Sequence, residues 1–151
     1  MSMTDYPAAL AEVLADFAFV TSRAERAELL IDWADRFKPV PSWVAVPPYP
    51  EERRVPYCES EAFVWACPRE DGTLQFYFAV ENPQGLSAMA LAAILDATLS
   101  GAPVEQVAAV SPDIVLRLFG NDISMGKGQG LMGMVSMVQA AARAFLREKA
   151  G

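Results

Sequence analysis

A chain of 151 residues, 53 % apolar and 21 % charged, is long enough to bury a real core and reads as one domain spanning residues 1–151. Its formal charge of −7 weighs against a nucleic-acid partner, which needs a basic face, and no charge-free apolar run is long enough to predict a membrane span. The opening segment carries Asp5, Glu12 and Asp16 and lacks the basic cluster of a signal peptide, so a cytoplasmic protein is expected. Two cysteines and no histidine exclude Cys–His and Ser–His nucleophile pairs, HExxH zinc sites, and a closed zinc site of about four thiolates.

In chain order, Leu10, Val13, Leu14, Phe17 and Ala18 recur at helical spacing and predict a first amphipathic helix over residues 6–19. Ser22-Arg23-Ala24-Glu25 reads as a capping box opening a second helix, with Ala27, Leu30, Ile31 and Ala34 on its buried face. Prolines at 39, 41, 47, 48, 50 and 56 forbid a helix or a central strand over residues 38–57, leaving an extended connection with Arg53–Tyr57 pairing as an edge strand. Ala62–Cys67 and Thr73–Val80, joined through Glu70-Asp71-Gly72, form a hairpin signal. Asn82-Pro83 is expected to open a helix that runs through Leu99 to Gly101. Two shorter helices follow, starting at Pro103 and at Ser111-Pro112, the second stopped by Gly120. A glycine-rich loop, Met125–Gly130, then leads into a last helix with Leu131, Val135, Val138, Ala142 and Phe145 as its buried stripe. This order predicts an α+β fold, a small antiparallel sheet of about three strands packed with N-terminal and C-terminal helices.

The glycine loop is not a phosphate-binding loop. Gly120 to Gly126 is one residue too long for GxxxxGK, and Gly128 stands where a hydroxyl is required. The methionines Met125, Met132, Met134 and Met137 read as core filling on the last helix. Cys67 alternates with Phe63 and Trp65 in the strand pattern and reads as a buried small hydrophobe. Cys58 sits where the proline-rich segment meets the hairpin. A disulfide between them is not expected, since extended chain separates them by roughly 30 Å at about 3.3 Å per residue. Around Cys58, Arg53 and Arg54 favour a thiolate while Glu59 and Glu61 oppose it. A lone cysteine without a general base suits thiol exchange or persulfide transfer, not hydrolysis.

From Cys58 onward the chain resembles the SufE family of sulfur acceptors. The resemblance is carried by Cys58-Glu59-Ser60-Glu61, the strand through Trp65, Gly72-Thr73-Leu74-Gln75-Phe76, the helix from Ser111-Pro112 to Gly120, and Lys127-Gly128-Gln129-Gly130-Leu131. It implies a sulfur acceptor that takes persulfide sulfur onto Cys58 from a cysteine desulfurase (SufS-like), stimulates that enzyme, and passes the sulfur to an iron–sulfur assembly scaffold (SufBCD-like). Such a chain is a sulfur-transfer partner, not a stand-alone enzyme. It needs no cofactor of its own, the pyridoxal phosphate belonging to the desulfurase. The implied partner-facing residues are Tyr57, Glu59, Ser60, Lys127, Gly128 and Gln129. Four departures from the family pattern stand out: Tyr57 in place of a glycine, Phe63 in place of a tryptophan, Val80-Glu81-Asn82-Pro83 in place of an acidic segment, and Lys127 in place of an arginine. The changes at Tyr57 and Val80–Pro83 motivate an alternative, a diverged adaptor that binds the desulfurase or scaffold without carrying sulfur.

Overall fold

The computed structural model describes residues 5–121 and 123–150. Helix α1 (Ala8–Ala18) starts after Pro7 and buries Leu10, Val13, Leu14 and Phe17, while Ala18 stays exposed. Helix α2 (Arg23–Ala34) is capped by Ser22, whose hydroxyl oxygen accepts the Glu25 N–H at 3.1 Å. The Glu25 carboxylate takes the Thr21 hydroxyl at 3.0 Å. The buried face of α2 differs from the predicted one. Ala27 and Ile31 are exposed, and Leu29, Leu30 and Trp33 lean on the core beside the buried Ala34. A peripheral helix resting mainly on α3 covers only a narrow stripe.

Strands β1 (Ala62–Pro68) and β2 (Leu74–Val80) form an antiparallel hairpin in register from Ala62↔Val80 to Pro68↔Leu74. Its turn places Gly72 at φ 85, and the Asp71 carboxylate accepts both the Thr73 hydroxyl and the Thr73 N–H. Strand alternation sends Ala62, Val64, Phe76 and Phe78 to the main core and Phe63, Trp65 and Ala79 to the opposite face. There the proline-rich segment lies as a cover, contributing Val40, Val44, Ala45 and Tyr49. Tyr49 packs on Phe63 and Trp65, each with ring centroids 5.1 Å apart. The sheet is therefore sandwiched between helices and an irregular strap.

Among the described residues the sheet has two strands, where the sequence predicts about three. The Arg53–Tyr57 segment pairs only at Arg54↔Phe63, with one bond from the Val55 N–H to the Ala62 carbonyl at 2.8 Å. Pro56 then offers no N–H, and Tyr57 turns left-handed at φ 60, so the ladder stops.

Helix α3 (Leu86–Leu99) crosses the centre of the molecule and packs against α1, α2, β2 and α6. It starts later than predicted, because Asn82–Gly85 forms a turn: the Asn82 side-chain oxygen accepts the Gln84 N–H at 2.9 Å and its carbonyl accepts the Gly85 N–H at 2.9 Å. Helices α4 (Val104–Ala108) and α5 (Ile114–Phe119) follow Pro103 and Pro112, and α5 ends at Gly120 with φ 89. Arg26 of α2 donates to the Arg117 and Leu118 carbonyls at the end of α5, at 3.1 and 2.7 Å.

Helix α6 (Met125–Ala150) buries Leu131, Met134, Val135, Val138 and Ala142 as its core stripe, with Phe145 packed at the edge. The expected glycine loop is absent, since residues 125–130 are the first turns of this helix. Ser124 starts it, its hydroxyl oxygen accepting the Lys127 N–H at 3.3 Å and its carbonyl the Gly128 N–H at 2.9 Å. Met134 is fully buried whereas Met125 is 89 % exposed, so core filling does not account for every methionine. Among the described residues, no helix is long and apolar enough to cross a membrane.

Candidate functional site

The turn that carries Cys58 is built between two points of regular structure. On one side Val55 is tied to Ala62; on the other, the Asn82 N–H donates to the Ser60 carbonyl at 3.2 Å and the Glu81 N–H to the Glu61 carbonyl at 3.1 Å. Inside it, the Glu61 N–H closes on the Cys58 carbonyl at 3.1 Å. Two non-glycine residues bracket the cysteine in the left-handed region, Tyr57 at φ 60 and Glu61 at φ 53. A strained residue of this kind costs on the order of 1–3 kcal/mol and persists only where its surroundings hold it. The position at which the family pattern has a glycine is thus one whose backbone a glycine adopts freely.

Two helices come close enough to the turn to exclude side chains. A Cβ on Gly85, at the amino end of α3, would lie 2.9 Å from the Ser60 Cβ and Oγ and 2.8 Å from Val80 Cγ1. A Cβ on Gly130 of α6 would lie 3.0 Å from the Cys58 Cα and 3.1 Å from the Tyr57 carbonyl oxygen. Between the turn and these helices opens a cavity of about 340 Å³, lined by Cys58, by Ser60, Asn82, Gln84 and Ser87, and by Lys127. The first turns of α3 and α6 both line it, and the positive ends of helices favour anions. Cys58 is half-buried there and its thiol is free.

The structure sorts the residues singled out from sequence. Tyr57, Cys58, Glu59, Ser60 and Lys127 share the cavity wall, with Tyr57 77 % exposed beside it. Gly128 and Gln129 do not. They line a separate depression with Leu116, Ile123 and Met132, because a helix turns about 100° per residue and carries Gly126, Lys127, Gly130 and Leu131 on the cysteine face. Arg54 is not at the thiol either. It pairs with Glu51 at 3.1 Å, lies 4.8 Å from the centroid of the Phe63 ring, and has its pKa raised, chiefly by the hydrogen bond to Glu51. Among the described residues, Lys127 is the cation that lines the cavity.

Sequence reasoning misses Asn82, Gln84, Gly85, Ser87 and Gly130. Asn82 has the form of a helix cap, and its role in holding residues 59–60 needs a contact across more than twenty positions. Cys67, expected to be buried, is half-buried opposite Gln75 in the last rungs of the hairpin, because the covering strap stops short of that end.

The arrangement offers a nucleophilic sulfur, room beside it for an incoming group, and no imidazole to act as a base. Comparison with known proteins agrees with the architecture. The SufE family model, the Fe-S metabolism associated domain, matches residues 11–142. The chain is also similar to the solution structure of a hypothetical protein from Thermus thermophilus, with a TM-score of 0.72 and 26 % identity over 94 % of this chain and 98 % of that one. No curated protein matches it. A family match over most of the chain, on a fold that seats Cys58 at a prepared cavity, establishes that this chain belongs to the SufE family and is associated with Fe–S metabolism.

Proposed function

We propose that the chain is a sulfur acceptor in which Cys58 takes persulfide sulfur from a cysteine desulfurase, stimulates that enzyme by unloading it, and delivers the sulfur to an iron–sulfur assembly scaffold. The observation that supports it is the placement of a free thiol on a braced turn over a cavity of about 340 Å³ with a lysine on its wall. The chemistry is balanced by exchange alone. The Cys58 thiolate attacks the outer sulfur of the desulfurase persulfide, the partner's S–S bond breaks, and the partner's thiolate leaves as a Cys58 persulfide forms. No net oxidation occurs, and one proton released from Cys58 matches the one the partner's cysteine regains. Neither a base nor a cofactor is required of this chain; the pyridoxal phosphate works in the desulfurase, and the exchange takes place in the cytoplasm.

Intact-protein mass spectrometry after incubation with a cysteine desulfurase and cysteine tests the proposal. The native chain gains sulfur in single-atom steps that a reductant removes. Cys58→Ser reduces the gain to background and Cys67→Ser keeps it. Uptake that survives the loss of Cys58 would overturn the reading. The exposed Tyr57 in place of a glycine favours a second reading, an adaptor that binds the desulfurase without carrying sulfur. Complex formation without any sulfur adduct, indifferent to Cys58→Ser, selects it.

A further inference from the structure

Three glycines open α6, and they are not equivalent. A Cβ added at Gly126 meets nothing within 4 Å, and one at Gly128 makes an ordinary 3.5 Å contact with Ile123. At Gly130 the neighbours are main-chain atoms of the cysteine turn: Cys58 Cα at 3.0 Å, the Tyr57 carbonyl oxygen at 3.1 Å, and then Cys58 Cβ at 3.4 Å. Glycine is the poorest helix former after proline, so its use in the second turn of a helix calls for such a reason.

The helix side of this contact is fixed, and the turn has little slack with which to give way. Leu131, Met134 and Val135 anchor α6 in the core immediately after Gly130. The turn is pinned through Val55 at one end and Ser60 at the other, Pro56 fixes its own φ, and Tyr57 is already left-handed. One turn along α6, Gly133 admits the same segment, its added Cβ lying 3.2 Å from Val55 Cγ1 and 3.4 Å from the Pro56 carbonyl oxygen. At Gly130 and Gly133 the chain from Val55 to Cys58 therefore lies against α6 with no side chain of the helix between them.

We propose that Gly130 is a positioning residue that sets where the Cys58 sulfur is presented to the incoming persulfide. The inference rests on the sulfur-acceptor reading. A methyl group at residue 130 lifts the turn off the helix, so the thiol leaves its half-buried seat and the approach to the partner's outer sulfur is lost together.

The test compares Gly130→Ala with Ser136→Ala, an exposed control on the same helix. Each is read by iodoacetamide labelling of Cys58 and Cys67 in the folded protein, and by the single-turnover sulfur-transfer rate at saturating desulfurase. Gly130→Ala labels Cys58 severalfold faster with Cys67 unchanged, and transfers sulfur severalfold more slowly, because a Cβ 3.0 Å from the Cys58 Cα forces the turn to shift by a few tenths of an ångström at the reacting centre. Ser136→Ala behaves as native in both. Should Gly130→Ala not fold, the same substitution is made in Tyr57→Gly, whose turn has more freedom, and read against Tyr57→Gly alone. Equal labelling of Cys58 with and without the methyl group overturns the proposal, as does a parallel rise at Cys67, which would mean general loosening. Labelling needs no desulfurase, so a native chain that takes up no sulfur sinks the acceptor reading while Gly130 is judged on labelling.

Discussion

Cys58 and Cys67 lie nine residues apart, both as free, half-buried thiols, and they occupy opposite kinds of backbone. Cys67 sits in a paired strand, opposite Gln75 in the ladder, and does not line the cavity beside Cys58. Cys58 sits on a turn with left-handed residues on both flanks, pressed onto one helix and opening toward the amino end of another. Exposure alone does not distinguish the two. What separates them is that the hairpin is stabilised by its own ladder and aromatic packing, whereas the turn is strained and is held in place by distant elements. The first setting contributes stability, and the second is the one the proposed sulfur transfer uses.

The comparison can be broken by showing that damage to the hairpin also damages the thiol. Trp65 is 7 % exposed and packs on Tyr49 and Phe63. Trp65→Ala is expected to cost about 3–5 kcal/mol in urea denaturation, the range for large-to-small changes in a packed core. The molecules that remain folded should still label Cys58 at the native rate. Faster labelling in the folded fraction would mean that hairpin and turn are not separable.

A smaller effect sharpens it from the other side. Asn82 holds the turn through its backbone bond to Ser60, and its side chain accepts the Gln84 N–H and reaches the Glu59 carbonyl at 3.5 Å. Asn82→Ala is expected to cost only about 1 kcal/mol, the net value of one such hydrogen bond, in thermal denaturation. It should slow sulfur transfer while leaving Cys67 labelling unchanged. Unaltered transfer would show that the backbone bond suffices.

The smallest effect is a pH dependence confined to the hairpin. Burial pushes Tyr77 above its ordinary value of 10.0, with a further push from Cys67. Since the folded value lies above the unfolded one, the associated stability is complete below about pH 10 and is lost as pH rises through the folded value. Melting temperature followed upward from about pH 9 should fall less steeply in Tyr77→Phe. An identical slope would assign the alkaline loss to other groups.

Much of the fold is legible in the sequence because its signals are local. The Ser22 cap, the Asp71-Gly72 turn, the Pro103 start and the Gly120 stop each act within a few residues, and the structure has all of them. Where local signals err, a distant partner intervenes. Asn82-Pro83 has the form of a helix start, but Asn82 is held to the Ser60 carbonyl and closes a turn on Gln84 and Gly85, so the chain turns before α3 begins. The glycine run at 126–130 has the composition of a loop, and it is helical because Ser124 caps it and the residues after it are anchored in the core. The third strand fails for a reason visible only in part. Pro56 is in the sequence, while the left-handed turn at Tyr57 is not.

The same division applies to the site. Residue types alone determined that the chain has one cysteine outside the strand pattern and no histidine beside it, which excludes a Cys–His pair. They also placed Glu59 and Ser60 beside it by simple adjacency. Tertiary structure decided which distant residues complete the cavity: Lys127 joins it, Gly128 and Gln129 do not, Asn82 and Gly130 enter from the segments that carry the resemblance and its departures, and Gln84 and Ser87 enter unannounced. The physical reason is range. Caps, turns and alternation depend on hydrogen bonds and side-chain periods spanning a few positions, and so they are written in neighbouring residues. The close approach at Gly130, where an added Cβ would lie 3.0 Å from the Cys58 Cα, joins positions 72 residues apart, and it exists only because α6 and the cysteine turn are each fixed by separate contacts with the core.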